Sequence, residues 1–309
     1  MLLSHTSHYA SVLLLWRVTS QVFRSGAKIA FLTALLHIFS PGGIFLSAPY
    51  AESLFSFLSF AALAAYYRGV STEKAADQAF VVLSGLLFGI ACTVRSNGLF
   101  YGILFIPSLS QLRGGLQNIA APAALICGGG LVAIGAISAQ VLAYIEFCYM
   151  VPMSERAVWC ANTIPSIYTY VQERYWQVGL FSYWKKANIP LFFLSSPLIA
   201  VLLMSGFRFS QDGGTLGQLH VQSRARGMLR RLGTIQLVLA LLAISMYHIQ
   251  IVMRIASGYP VWYWWLAEKL SGRAGVGSPR SDLMIWASRT IVAYGVIQAG
   301  LFATFLPPA

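Results

Sequence analysis

Charge is scarce in this chain. Only 10% of its 309 residues are Asp, Glu, Lys or Arg, where a soluble domain carries about 25%. So few charges cannot cover a globule of this size, which argues against a water-soluble fold. Acid is scarcer still: nine Asp and Glu stand against 21 Lys and Arg, a formal net charge of +12. On a soluble chain that excess would point to nucleic acid. Here the basic residues fall in short connectors between apolar blocks, the positive-inside pattern, so no nucleic-acid partner is expected. No metal-ligand spacing occurs, and no Ser-His-Asp, HExxH or P-loop pattern, so neither metal nor cofactor is expected. No Asn-x-Ser/Thr acceptor is present. Of the four cysteines, Cys92 and Cys127 fall in apolar blocks and read as packing residues. Cys148 and Cys160 share one connector and either pair, in an oxidising compartment, or remain free thiols.

Apolar residues make up 57% of the chain, with mean hydropathy +0.68, and they come in long blocks. Residues 119–145 carry no charged side chain, and 285–306 hold only Arg289. A helix of roughly 20 apolar residues spans the hydrocarbon layer, where only helices and closed barrels satisfy their backbone groups. The blocks are rich in Leu, Ala and Gly and do not alternate. The expected fold is all-α: one polytopic transmembrane helical bundle over 1–309 with about ten crossings. These lie near 8–23, 28–46, 51–67, 79–94, 97–112, 119–146, 190–207, 233–255, 259–270 and 285–306. Splitting 79–112 at Arg95-Ser96-Asn97-Gly98 keeps Arg95 at a membrane face, since an arginine at mid-membrane costs about 2.5–3.5 kcal/mol on insertion scales. The 259–270 piece is short and holds Trp262, Trp264 and Trp265; it is either a crossing or an interfacial segment.

Alternate connectors then share a side. One set carries Arg24 and Lys28, Arg68 and Lys74, Arg113, the basic loop 208–232 with Arg208, Arg224, Arg226, Arg230 and Arg231, and Arg273 and Arg280. That set is expected in the cytoplasm, with both termini opposite. The far face carries 40–50, the Arg95 break, 256–260 and the long connector 147–189. This connector mixes Glu155, Arg156, Glu173, Arg174, Lys185 and Lys186 with Trp159, Tyr168, Tyr170, Tyr175, Trp176, Tyr183 and Trp184. Aromatics so dense suit either sugar stacking or a helix lying on the bilayer surface. Residues 1–8 contain no Lys or Arg, so a cleavable signal is not visible and a segment upstream of Met1 is expected.

Few residues are left to carry chemistry. Glu52 follows Pro49-Tyr50 and opens an apolar helix. It either answers the helix dipole or serves a site. Arg95 is either a planar fork for a carboxylate or phosphate, or snorkels to the interface. His37 and His248 fall within expected helices, where hydrogen-bonded packing is the default. Gly85–Gly89 and Gly98–Gly102 are small-xxx-small pairs for close helix packing.

Four segments together resemble one family. Ser40-Pro41-Gly42-Gly43-Ile44-Phe45-Leu46-Ser47-Ala48-Pro49-Tyr50-Ala51-Glu52-Ser53-Leu54-Phe55 is similar to the segment written roughly NPASIFFSAPYTESLF in the PIG-V family. Arg95-Ser96-Asn97-Gly98 resembles that family's RSNG turn. Tyr168-Thr169-Tyr170-Val171-Gln172, then Tyr175-Trp176-Gln177-Val178-Gly179-Leu180-Phe181 and Tyr183-Trp184, resembles its YxYVQ…YWxVGF…YW block. The chain closes on Phe305–Ala309, FLPPA, as members do. Ser40 stands for the usual Asn, and Gly42-Gly43 for Ala-Ser.

The resemblance implies a GT-C-like bundle in the endoplasmic reticulum membrane. On its luminal face, the second mannose of the glycosylphosphatidylinositol (GPI) precursor is transferred from dolichol-phosphate-mannose in an α-1,6 link, with inversion. Implied partners are that donor, the mannosylated GPI precursor lipid and the membrane, with room for a small accessory membrane subunit. The residues expected to line the luminal cleft are Tyr50, Glu52, Arg95, Asn97, Gln172, Tyr175 and Trp176, with Arg95 at a phosphate. The family's catalytic aspartate belongs to a Trp-Asp pair in its first luminal loop. No Trp-Asp occurs here, so the catalytic residue stays unassigned and is expected upstream of Met1. Two rivals stand beside this reading: an inactive or truncated remnant of that enzyme, and a membrane transporter.

Overall fold

The computed structural model describes residues 1–23, 27–72, 74–107, 119–212, 221–271 and 279–304. The expectations for Arg24, Glu73, Arg113, Arg273 and Phe305–Ala309 lie outside the described residues, as do the side chains of Asp212, Arg280 and Asp282. Among the described residues the fold is a helical bundle without strands; one isolated bridge joins Phe23 and Val221.

The helices are α1 (Leu2–Val22), α2 (Ala27–Ile38), α3 (Gly43–Ser47), α4 (Glu52–Val70), α5 (Gln78–Val94), α6 (Ala120–Tyr144), α7 (Ile167–Arg174), α8 (Ile189–Asp212), α9 (Arg226–Ser245), α10 (Val252–Ala256), α11 (Val261–Ser271) and α12 (Pro279–Ala303). Among the described residues, four continuous stretches are long and apolar enough to cross a membrane by themselves: Ala75–Val94, Ala120–Tyr149, Lys186–Gln211 and Ser223–Ser245. The chain is thus a multi-pass membrane bundle. The finer count of about ten crossings stays an expectation.

Three expected crossings depart from a single continuous α-helix. Residues 28–46 divide into α2 and α3 at Phe39–Gly42, where Pro41 cannot continue a helix. Residues 97–112 begin as a 3₁₀-helix, Ser96–Phe105. A 3₁₀ run this long is uncommon and often marks a functional hinge. Residues 233–255 are interrupted after Ser245, so Tyr247, His248 and Arg254 sit outside any long helix. A fourth difference concerns the basic loop 208–232. Arg208 lies on α8, while Arg226, Arg230 and Arg231 lie on the first turns of α9.

Lipid tails are as apolar as leucine, so packing rather than water exclusion must hold such helices together. The α5–α6 seam shows how. A Cβ on Gly85 would fall 2.4 Å from the Cα of Gly128, and one on Gly135 would fall 2.1 Å from the Gly89 carbonyl oxygen. Glycine lets the two backbones touch.

Helix α11 packs against α2, α8, α9 and α12, and everything from Val261 to Glu268 on it is buried. This Trp-rich piece is therefore packed within the bundle rather than laid on its outer surface. Its polar edges are satisfied inside the bundle: Trp262 Nε1 donates to the Ala256 carbonyl at 3.0 Å and Trp264 Nε1 to Thr19 Oγ1 at 2.8 Å. A buried indole needs such a partner.

Contacts sort the connectors into two ends. At one end Gln222 N donates to the Val22 carbonyl, Arg224 to the Ser71 carbonyl, Lys28 Nζ to the Ser271 carbonyl and Arg231 to the Leu104 carbonyl. At the other end Glu52, Arg95, Tyr168, Trp176, His248 and Arg254 meet.

Candidate functional site

The second end holds a cleft of about 690 Å³. Its floor is made where three helix breaks converge. Helix α5 stops at Val94, and Arg95 takes an extended backbone, φ −148° and ψ 128°. The chain then folds back tightly enough that a Cβ on Gly98 would lie 3.1 Å from the Cys92 nitrogen. This turn aims Arg95 across the bundle at the start of α4.

There Glu52 occupies the first turn, with no exposed surface. Its Oε1 accepts from Arg95 Nη1 and also from Arg254 Nε, the latter at 2.6 Å. The Arg254 guanidinium lies 4.8 Å from the ring centre of Phe45 and 5.1 Å from that of Tyr50, within cation–π range. Arg95 Nε donates to Asn97 Oδ1 at 3.3 Å. Asn97 in turn is fixed by Tyr259, whose hydroxyl donates to the Asn97 carbonyl at 2.7 Å and accepts from Nδ2 at 3.3 Å. Tyr259 stacks on Tyr101 at 4.9 Å, and Tyr101 on Phe88 at 4.3 Å.

The electrostatic result is simple. Two guanidiniums share one carboxylate, so the floor keeps one positive charge in excess. Both arginines line the cleft and are only partly covered, with 14% and 21% of their side chains exposed, so they can still meet a ligand. Glu52 Oε2 is buried without a hydrogen-bond partner among the described residues.

The facing wall is neutral. Helix α7 starts where Ser166 Oγ accepts from Thr169 N at 3.2 Å, and Gln140 Oε1 of α6 accepts from Tyr168 N at 3.3 Å. Tyr168 and Gln172 stand four residues apart on one side of α7, and Trp176, just past the helix end, joins them in lining the cleft. Tyr247, His248 and Ile251 line it too, from the break after α9. Tyr183, on the same connector, has its phenol raised above the usual range by burial.

The sequence-expected residues divide. Arg95, Asn97, Gln172 and Trp176 line the cleft, and Glu52 lies beneath it between the two arginines. Tyr50 lies against Arg254 rather than on the cleft wall. Tyr175, which caps the C-terminal end of α7, is 71% exposed and not on the wall. Arg254, Tyr247 and Tyr259 were not among the expected site residues. The signal for Arg254 was a lone cation in an apolar stretch with an unpaired Glu52 elsewhere.

Cys148 and Cys160 are disulfide-bonded, which closes the start of the long connector. Cys127 is exposed on α6 rather than packed inside.

Known proteins resemble the chain along its length. The family described as Mannosyltransferase (PIG-V) matches residues 2–309. A protein named GPI mannosyltransferase 2 from Gibberella zeae is 42% identical over 320 residues, covering 99% of this chain and 73% of its own length. Proteins of the same name from Aspergillus oryzae and Yarrowia lipolytica are 40% and 33% identical; each alignment covers 99% of this chain, and 73% and 74% of those relatives. No solved structure matches. The glycine-packed bundle, the Glu52-centred floor and these likenesses lead to one statement: the chain belongs to the PIG-V mannosyltransferase family.

Proposed function

We propose that this chain transfers the second mannose, in an α-1,6 link, from dolichol-phosphate-mannose to the GPI precursor on the luminal face of the endoplasmic reticulum. The single observation that carries the reading is the two-sided cleft, with Arg95 and Arg254 on its floor and Gln172 and Trp176 on its wall. A sugar joined to a phosphate has the same two-sided chemistry.

The arginines take the phosphate. Transfer breaks the bond between the anomeric carbon and the phosphate oxygen, and the electron pair leaves with the phosphate. The acceptor hydroxyl oxygen bonds to that carbon from the opposite side and gives its proton to a base. Fixed positive charge beside the leaving oxygen stabilises the transition state, because it costs no reorganisation during the reaction. Gln172, whose side-chain amide offers both a donor and an acceptor, suits sugar hydroxyls, and Trp176 suits the apolar face of the ring. Glu52 is not the base: it is fully buried and its Oε1 already accepts from two arginines. It holds the arginines in place.

The disulfide supports a luminal placement for the connector, since such bonds persist in oxidising compartments. It lies on the connector that also carries Tyr168, Gln172 and Trp176.

The test is complementation in cells lacking the second GPI mannosyltransferase, with the gene expressed from its own locus. Return of GPI-anchored proteins to the surface is expected. A correctly localised product that leaves the cells without them would refute the assignment.

A further inference from the structure

We infer that His248 is a positioning residue for the neutral end of the cleft: it holds the connector Trp176–Trp184 as a strap and so sets the place of Trp176. The inference rests on the reading of the cleft as the mannose-transfer site.

Helix α9 ends at Ser245, and the last carbonyls of a helix lack partners within it. The strap supplies them. Phe181 N donates to the Ser245 carbonyl at 2.6 Å, and Trp184 Nε1 donates to the Ile244 carbonyl at 2.8 Å. His248 completes the clasp in the other direction. Its Nε2 lies 2.7 Å from the Trp176 carbonyl oxygen, which can only accept, so Nε2 carries the hydrogen. The contact needs a donor and not a charge, so neutral and protonated imidazole both serve. The Tyr183 ring lies against the imidazole at 4.5 Å, and Tyr183 and Trp184 both pack on Phe192 of α8.

The bond sits where the strap is strained. Gln177, next after Trp176, has φ 50°, and Phe181 has φ 56°. Side chains other than glycine hold such angles only when neighbours over-determine them. The His248 bond clamps the peptide unit entering Gln177, and Lys185 Nζ donates to Gln177 Oε1 at 3.3 Å. Loss of the clamp lets 176–177 relax toward extended backbone, which swings Trp176 off the wall it shares with Gln172.

The experiment uses the full chain in microsomes with a synthetic polyprenyl-phosphate-mannose donor. His248→Phe keeps a ring against Tyr183 and removes the donor, whereas His248→Gln keeps a side-chain N–H. His248→Phe is expected to raise the KM for donor about threefold to tenfold, the size of one hydrogen bond, with kcat little changed. His248→Gln should recover most of it. Trp176→Ala should show the same KM effect, and the double variant should be no worse than Trp176→Ala alone. Losses that multiply, or a His248→Phe enzyme with unchanged KM, overturn the inference. A second readout needs no activity: maleimide labelling of Gln177→Cys is expected to speed up with His248→Phe and not with His248→Gln. Unchanged labelling refutes the clasp even if transfer is intact. A wild-type chain that transfers no mannose while its labelling responds refutes the transfer reading and leaves the clasp standing. Should His248→Phe not accumulate, Trp184→Phe, which removes the indole N–H at Ile244 while keeping an aromatic ring against Phe192, is read the same way.

Discussion

Glu52 and Arg254 are 202 positions apart in the chain and 2.6 Å apart in the fold, and they meet on an oxygen that Arg95 also holds. The carboxylate has no exposed surface. Removing one partner from a buried ion pair leaves the other charge uncompensated, which costs about 3–5 kcal/mol. Glu52→Gln keeps the shape and removes the charge. Thermal unfolding in detergent is expected to show a loss of about that size, with transfer abolished. A variant as stable and active as wild type would contradict the role of Glu52.

Tyr259 tunes the same network from below. Tyr259→Phe keeps the stack on Tyr101 and deletes both hydrogen bonds to Asn97. Each such bond contributes about 0.5–1.5 kcal/mol. Transfer is expected to fall about tenfold, with Arg95 less well aimed. Tyr101→Phe, which loses the bond to the Gly258 carbonyl and leaves Asn97 fixed, is the comparison and should lose less activity.

The glycine seam gives a paired prediction. A Cβ on Gly89 would lie 2.6 Å from the Leu131 carbonyl oxygen, while one on Gly130 meets nothing within 4 Å. Gly89→Ala should destabilise by about 1–3 kcal/mol through overpacking. Gly130→Ala should be neutral or slightly stabilising, by up to about 1 kcal/mol, because alanine suits a helix better. Denaturation of the two variants side by side reads the difference.

The Cys148–Cys160 bridge closes a 12-residue separation. Chain entropy assigns a loop of this length about 3 kcal/mol. Cys148→Ser is expected to lower stability by roughly 2–3 kcal/mol and to expose one new thiol. In sealed microsomes that thiol should react only with a permeant maleimide, since the proposed orientation places it in the lumen. Labelling by an impermeant reagent from the cytoplasmic side would reverse the orientation.

Much of the fold was legible because the bilayer leaves few options. Arg95 had to break the block 79–112, and α5 does end at Val94. Glu52 at the head of an apolar helix was visible as an oddity, with dipole pairing and site chemistry as equal readings. What hid was every relation set by tertiary packing. Arg254 looked like a cation inside the crossing 233–255, and only the break after Ser245 brings it to Glu52. The three tryptophans of α11 had the composition of an interfacial belt, yet their ring nitrogens and neighbours are inside the bundle. Tyr175 and Trp176 were equivalent in the motif, but in the turn after α7 Trp176 lines the cleft while Tyr175 is exposed.

The central claim is that the chain adds the second mannose at the cleft floored by Arg95 and Arg254. Analysis of radiolabelled GPI lipids in deletion cells carrying wild type, Arg95→Ala, Arg254→Ala or the double variant tests it most directly. Wild type is expected to yield precursors with two or more mannoses, and all three variants, present at wild-type levels, to accumulate the one-mannose precursor. Normal elongation by the double variant would contradict the account.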